Sequence, residues 1–258
     1  MHRVHTKRRP AAPAGFFESE AAGLAWLAAA GGARIVEVLA VEPGRIDLEA
    51  LDLARPSEQH AAALGAALSV THDAGATGFG APPDGWAGPS FIGNQPMVTT
   101  AGGRPSWGAF YAEDRVLPYA RLAAERGHIG GRDLAVVEQA CERIAAGDLD
   151  DGEPAARLHG DLWNGNVQWT EQGAVLIDPA AHGGHRETDL AMLALFGCPH
   201  LARVYAGYDA RHPLRLGWEE RIGLHQLHPL AVHAASHGSS YAEPLVTAAR
   251  EALALPAA

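Results

Sequence analysis

Lysine is all but missing from this sequence. Its 20 cationic side chains include a single lysine, Lys7, and the others are arginines. Codon bias would explain the skew; the alternative is that one ammonium is kept for a task that a guanidinium does not perform. Cysteine is almost as rare, with only Cys141 and Cys198 and no CxxC or other metal-ligand spacing. That excludes a disulfide framework and suits two isolated thiols in a reducing cytoplasm. Positive charge is short overall, and a formal net charge of -10 argues against nucleic-acid binding and against docking on an anionic membrane. No apolar run approaches the roughly 20 residues that span a bilayer. The basic start "MHRVHTKRRP" is followed by Glu18 and Glu20 too soon for a secretory signal. The expectation is a soluble cytoplasmic protein with no nucleic-acid and no membrane partner.

What the chain does have is enough length and apolar content for one sizeable core or two small ones, with 258 residues of which 47% are hydrophobic. Alternation in "RVHTK" (3–7) predicts a short strand, then a Pro/Gly/Ala loop at 8–15 and a helix from about Phe16 to Ala30. On that helix Phe17, Leu24 and Leu27 share one face, and Glu20 lies on it too. Residues 33–51 read as two strands around "EPG", and the stretch from Ser57 as a helix with Ser57 its N-cap. Residues 75–106 are Gly/Pro-rich and too long for an ordinary connection, so they are read as functional. Helices are expected at 107–126 and 131–147, a hairpin at 167–178 around "TEQG", and several helices within 187–253. The class is α+β, with a small strand-rich N-terminal part and a larger, mostly helical remainder.

Chemistry concentrates in "RLHGDLWNGNV" (157–167) and "VLIDPA" (175–180). Asp161 and Asn166 share a loop, and Asp178 follows at the end of the hairpin. A carboxylate that can take a hydroxyl proton, beside an amide oxygen and a second carboxylate that suit Mg²⁺, is what phosphoryl transfer from a nucleotide requires. The bland alternative is that Asp161, Asn164 and Asn166 only satisfy turn backbone. The ordered set H-G-D-L-W-x-G-N, hairpin, I-D-P favours the chemical reading. Histidine is abundant, 14 in all, and "HQLHPLAVHAASH" invites a metal reading. However, His225, His228, His233 and His237 do not share a helical face and Pro229 interrupts the run, so no metal site is expected there. His159 is read as bracing the loop, and Arg186, Glu187 and Asp189 as an ion-pair brace behind it.

These segments resemble the fructosamine kinase (ketosamine-3-kinase) family, relatives of aminoglycoside and choline kinases with a protein-kinase-like fold. "LHGDLWNGNV" and "VLIDPA" resemble its catalytic loop and metal-binding segment, and "GGHRETDLAMLALFG" resembles the segment that follows. "GFGAPPDGWAGPSFIGNQPMVTT" resembles its substrate-side insert. The likeness runs from about residue 4 to about residue 250. It implies two lobes, a small N-terminal one at 1–51 and a helical C-terminal one at 52–258. It implies Asp161 as catalytic base, Asn166 and Asp178 as Mg²⁺ ligands, and Trp163 as a wall of the sugar site. The family's strand lysine and helix glutamate map to Lys7 and Glu20, and its adenine-holding hinge to Glu49, Ala50 and Leu51. The residues themselves support the pair, because a carboxylate on an apolar helix face is costly to bury without a cation.

The activity implied is ATP-dependent phosphorylation of the 3-hydroxyl of a small-molecule or protein-bound ketosamine, after which the adduct eliminates and frees its amine, a deglycation repair. Residues 75–106 and Trp163 are expected to line an open acceptor site in which that segment offers only Asp84 as a carboxylate. One departure stands out. The family fold places two strands and a glycine-rich loop ahead of the lysine strand, whereas six residues precede Lys7 and no GxGxxG or Gly-Lys pair occurs. The small lobe is therefore read as truncated. Two other readings follow, a phosphotransferase for an aminoglycoside or choline-like alcohol and a non-catalytic pseudokinase.

Overall fold

The computed structural model describes residues 3–257. The first strand, β1 (Val4–Arg8), lies at the edge of a three-stranded antiparallel sheet and pairs Lys7 with Ile46. The loop after it ends at Gly15, whose positive φ of 82° turns the chain into helix α1 (Phe16–Ala28). The helix buries Phe17, Leu24 and Leu27 along one stripe, and Glu20 with them. The hairpin β2 (Val38–Glu42) and β3 (Arg45–Glu49) completes the sheet in the order β1-β3-β2, with "PG" at its turn.

Helix α2 (Glu58–Asp73) begins where the Ser57 hydroxyl accepts the His60 N–H at 3.1 Å. The long segment after it carries a small hairpin, β4 (Ser90–Ile92) and β5 (Gln95–Met97). Helix α3 (Trp107–Phe110) then runs through one π-helical stretch, Tyr111–Val116, into α4 (Leu117–Glu125), and α5 (Gly131–Ala145) follows. Strand β6 (Ala156–Leu158) leads into the polar loop. The hairpin β7 (Val167–Thr170) and β8 (Gly173–Leu176) returns the chain to that loop, and β9 (His182–Gly184) pairs back on β6. Helices α6 (Arg186–Leu195), α7 (Leu201–Arg211), α8 (Ile222–His237) and α9 (Ala242–Ala254) finish the chain.

Apolar side chains gather into two cores. One holds the interior of α3 to α5, α8 and α9. The other joins α1 and the small sheet to α2, α7 and the β7–β8 hairpin, so apolar packing runs unbroken from the sheet into the helical part. The hairpin is fastened there by backbone as well, since Val36 N–H donates to Leu176 O at 3.0 Å and Leu176 N–H to Arg34 O at 2.9 Å. Helices α2 and α7 cross very closely. A methyl group on Gly65 would lie 1.8 Å from Val204 O, and one on Gly207 would lie 2.0 Å from Ala62 O.

One expectation from the sequence fails. Pro229 does not interrupt the histidine-rich run, because α8 passes straight through it. Proline removes the N–H that would satisfy the carbonyl four residues back, here that of His225. The buried Tyr111 hydroxyl replaces it, reaching His225 O at 2.9 Å and Leu224 O at 3.0 Å while accepting the His228 N–H at 3.2 Å.

Candidate active site

The loop from His159 to Asn166 is built around backbone groups held from behind. Gly160 has a φ of 80°, and a side chain there would strike Ala180 O at 2.1 Å. The fully buried Asp189 of α6 accepts the N–H of His159 at 2.7 Å and of Gly160 at 2.9 Å. His72 of α2 holds the same carboxylate at 3.2 Å, and Tyr208 of α7 holds His72 at 2.8 Å. Burial pushes Asp189 up, but His72, His159 and the Gly160 N–H outweigh it and keep the carboxyl below its ordinary range. His159 is a brace. Its Nδ1 accepts the Asp161 N–H at 3.3 Å, which leaves Nε2–H to donate to Ile177 O at 2.9 Å, and burial keeps the ring neutral.

Asp161 leaves this frame half-buried. Burial pushes its carboxyl up to about 7, helped by the nearby Asp178 and Asp189 charges and opposed by the Asn166 amide. Asn166 Nδ2 donates to Asp161 O at 2.7 Å and reaches Asp161 Oδ2 at 3.2 Å and Asp178 O at 3.3 Å. Its Oδ1 accepts no hydrogen bond from the described residues. The β7–β8 hairpin sets Asp178 beside it, since Ile177 N–H donates to Asn166 O at 3.1 Å. Asp178 sits in the left-handed region at φ 53°, uncommon for a residue with a side chain but one that aspartate tolerates better than most.

From the small sheet Lys7 reaches the same place. Its Nζ contacts Glu20 Oε1 at 2.7 Å, Glu20 Oε2 at 2.8 Å and Asp178 Oδ1 at 2.8 Å. Burial opposes the ammonium, but the two carboxylates outweigh it and hold Lys7 above its ordinary value, charged at any physiological pH. Helix α1 can deliver Glu20 because Gly23 lets it approach Pro179 and Ala181 closely.

Two cavities meet at these residues. One, about 450 Å³, is lined by Asp161, Asn166, Trp163, Arg9, Phe16 and Phe91, among others. The second, about 350 Å³, is lined by Val36, Leu48, Glu49, Ala50, Leu51 and Ile177, with Leu53 and Gln168. Lys7 and Asp178 line both. In the second cavity the Glu49 N–H is spent on Glu37 O and the Ala50 N–H on Arg3 O, so the free N–H there belongs to Leu51, whose peptide groups have no backbone partner among the described residues. A larger cavity, about 520 Å³, lies elsewhere, between Gly78, Arg104 and Asp151, and none of these site residues lines it.

The structure therefore brings together Lys7, Glu20, Asp161, Trp163, Asn166 and Asp178, and sets Glu49, Ala50 and Leu51 along the adjoining cavity. It divides the segment 75–106, which contributes Phe91, Gly93 and Asn94 to the Asp161 cavity and lines the unrelated one with residues 76–79 and 102–105. Asp84 turns away to Trp26 Nε1 at 3.0 Å. Sequence reasoning missed His72 and Arg9 altogether. It had the histidines of α8 only as a group: His225 and His228 are buried, and His225 packs with His185 and Glu187 near Arg221. Those three offer ligand atoms within 4.8 Å of one another, but Asp151, Thr188 and Arg221 already engage them.

The family model described as "Fructosamine kinase" matches residues 1–254. A protein of Enterococcus faecium named "Probable ketoamine kinase" is 30% identical over 243 residues, 93% of this chain and 84% of its own length. Another so named, from Escherichia coli K12, is 37% identical over 52% of this chain, and this chain spans about half of it (46%). The crystal structure of a candidate fructosamine-3-kinase from Thermobifida fusca YX-ER1 superposes with a TM-score of 0.91 at 45% identity, covering 98% of this chain and 86% of that one. Choline kinase LicA from Streptococcus pneumoniae, at 15% identity, shares the fold alone, with a TM-score of 0.61 over 98% of this chain and 87% of its own.

Proposed function

The chain belongs to the fructosamine kinase family, with the protein-kinase-like fold of a phosphotransferase, and from that premise we propose that it transfers the terminal phosphoryl group of ATP to the 3-hydroxyl of a ketosamine. The observation that carries the reading is the pair of adjoining cavities sharing Lys7 and Asp178, with the peptide groups of Leu51 on one side and Asp161 on the other. Adenine lies against Leu51, and the phosphates extend toward Lys7, which Glu20 holds in place. Asn166 Oδ1 and the Asp178 carboxylate are hard oxygen donors not taken up by other hydrogen-bond donors beyond Lys7, and they fit Mg²⁺. When bound, the ion neutralises phosphate charge.

Asp161 takes the proton of the acceptor hydroxyl. Its carboxyl near neutrality suits a base that must both accept and release a proton. Trp163, with 39% of its surface exposed, offers a ring on which the sugar packs. The phosphorylated adduct then loses phosphate by elimination, and water hydrolyses the remaining C=N bond to release the amine, which makes the activity a repair of glycated amines. Both Glu20 oxygens and one Asp178 oxygen are engaged by Lys7, which leaves little unpaired negative charge for a polycationic acceptor and disfavours the aminoglycoside reading. The test measures ATP consumption with a ribulosamine, an aminoglycoside and choline under one set of conditions. A preference for either of the last two overturns the ketosamine assignment.

A further inference from the structure

The Asp161 cavity is lined by three cations, Lys7, Arg8 and Arg9, and three carboxylates, Glu20, Asp161 and Asp178. Lys7 is taken by Glu20 and Asp178, and Asp161 by Asn166. Arg9 has no carboxylate partner among the described residues, yet it is fixed. Its Nη1 donates to Asn94 Oδ1 at 2.7 Å, at the tip of the β4–β5 hairpin. Its guanidinium lies 4.8 Å over the Phe16 ring, and Phe16 in turn packs on Phe91 with ring centroids 5.2 Å apart. Nε and Nη2 make no hydrogen bond among the described residues. A guanidinium already immobilised by packing and one hydrogen bond, with its other donors free, is suited to a planar anion, because little side-chain freedom remains to be lost on binding.

Arg9 lines the cavity that contains Asp161, Trp163 and Phe91 and not the one along Leu51, and the groups that hold it, Asn94 and Phe16, line that cavity too, which sets it on the side away from the adenine. We infer that Arg9 recognises a carboxylate on the amine half of the acceptor, so that the favoured substrates are ketosamines formed on amino acids; the inference rests on the ketosamine reading above. Arg9 is here a specificity residue, with no part in the proton transfer at Asp161.

The experiment compares two matched acceptors, the ribulosamine of glycine and that of glycinamide, at saturating ATP. The wild-type chain should show a kcat/KM on the order of tenfold higher for the carboxylate, carried mainly by KM. Arg9→Gln should bring the ratio near one, and Arg9→Lys, which keeps the charge, should restore part of it. Equal kcat/KM for the two acceptors in the wild-type chain overturns the inference, and this comparison stands even if Arg9→Gln does not fold. A raised KM for ATP in Arg9→Gln, with the acceptor ratio intact, assigns the guanidinium to the triphosphate and overturns it as well. If the chain binds ATP by titration calorimetry but phosphorylates neither adduct, the ketosamine reading itself falls and takes the inference with it.

Discussion

Asp161 is the residue on which the proposed chemistry turns, and its surroundings separate its role from those of its neighbours. Asp189 is engaged by two backbone N–H groups and His72, Glu20 by Lys7 through both oxygens, and Asp178 by Lys7 through one oxygen with the other suited to Mg²⁺, so Asp161 is the carboxylate left for the acceptor hydroxyl. Asp161→Asn keeps the shape and the contact with Asn166 but removes the base. We expect kcat to fall on the order of 10²-fold or more, with ATP affinity within a few-fold of the parent by calorimetry. Near-normal turnover in a folded variant would remove Asp161 from the role. The residue scale is also where the sequence was most readable. The spacing of Asp161, Asn166 and Asp178 lies within 18 residues and needs only one hairpin to close it, so local pattern carries the information. Lys7 and Glu20 were readable for a related reason, since a lone ammonium and a carboxylate on an apolar stripe lie on neighbouring elements.

At the scale of elements, the strands around the small sheet, the helices α1 and α2 and the β7–β8 hairpin follow from alternation, stripe and turn. Helix α8 does not. Pro229 reads as a break, and the group that heals the helix, the Tyr111 hydroxyl, lies more than a hundred residues away. No window along the chain contains both. Removing that hydroxyl tests the account. Tyr111→Phe leaves the ring in its core but strands buried backbone groups of Leu224, His225 and His228, at a cost of about 1–3 kcal/mol. Chemical denaturation should show that loss with an unchanged dependence on denaturant. A variant as stable as the parent would mean that the helix satisfies those groups by other means. The split of the segment 75–106 between two cavities was hidden in the same way, because nothing in a Gly/Pro-rich stretch says which end packs where.

Across the whole molecule, buried imidazoles tie stability to pH. Burial lowers His182 to about 3, with the Arg115 charge adding to it, and lowers His225 to about 4. Both rings are neutral in the fold and take up protons near pH 6.5 when the chain unfolds. Their contribution is therefore complete above about pH 6.5 and is lost as pH falls from there toward 4, at about 1.4 kcal/mol per pH unit for each ring. Urea midpoints should fall steeply between pH 6.5 and 4.5 and change little from 7 to 8. A flat profile from pH 7 to 5 would show that these rings are protonated in the fold.

The carboxylate of Asp189 has a consequence for exchange with solvent deuterium. The amides of His159 and Gly160 belong to a loop, where hydrogens are normally replaced within seconds to minutes once water reaches them. Here both point into a fully buried acceptor that His72 and Tyr208 fix to α2 and α7, the two helices that cross through glycine contacts. We expect water to reach these amides only when α2 and α7 part. The labels on residues 159 and 160 should therefore be as slow as those in the middle of α2, and should respond to denaturant with the slope of global unfolding. The stretch that carries Asp161 would then report on the integrity of the entire fold, and rapid labelling there would show that the loop opens by itself.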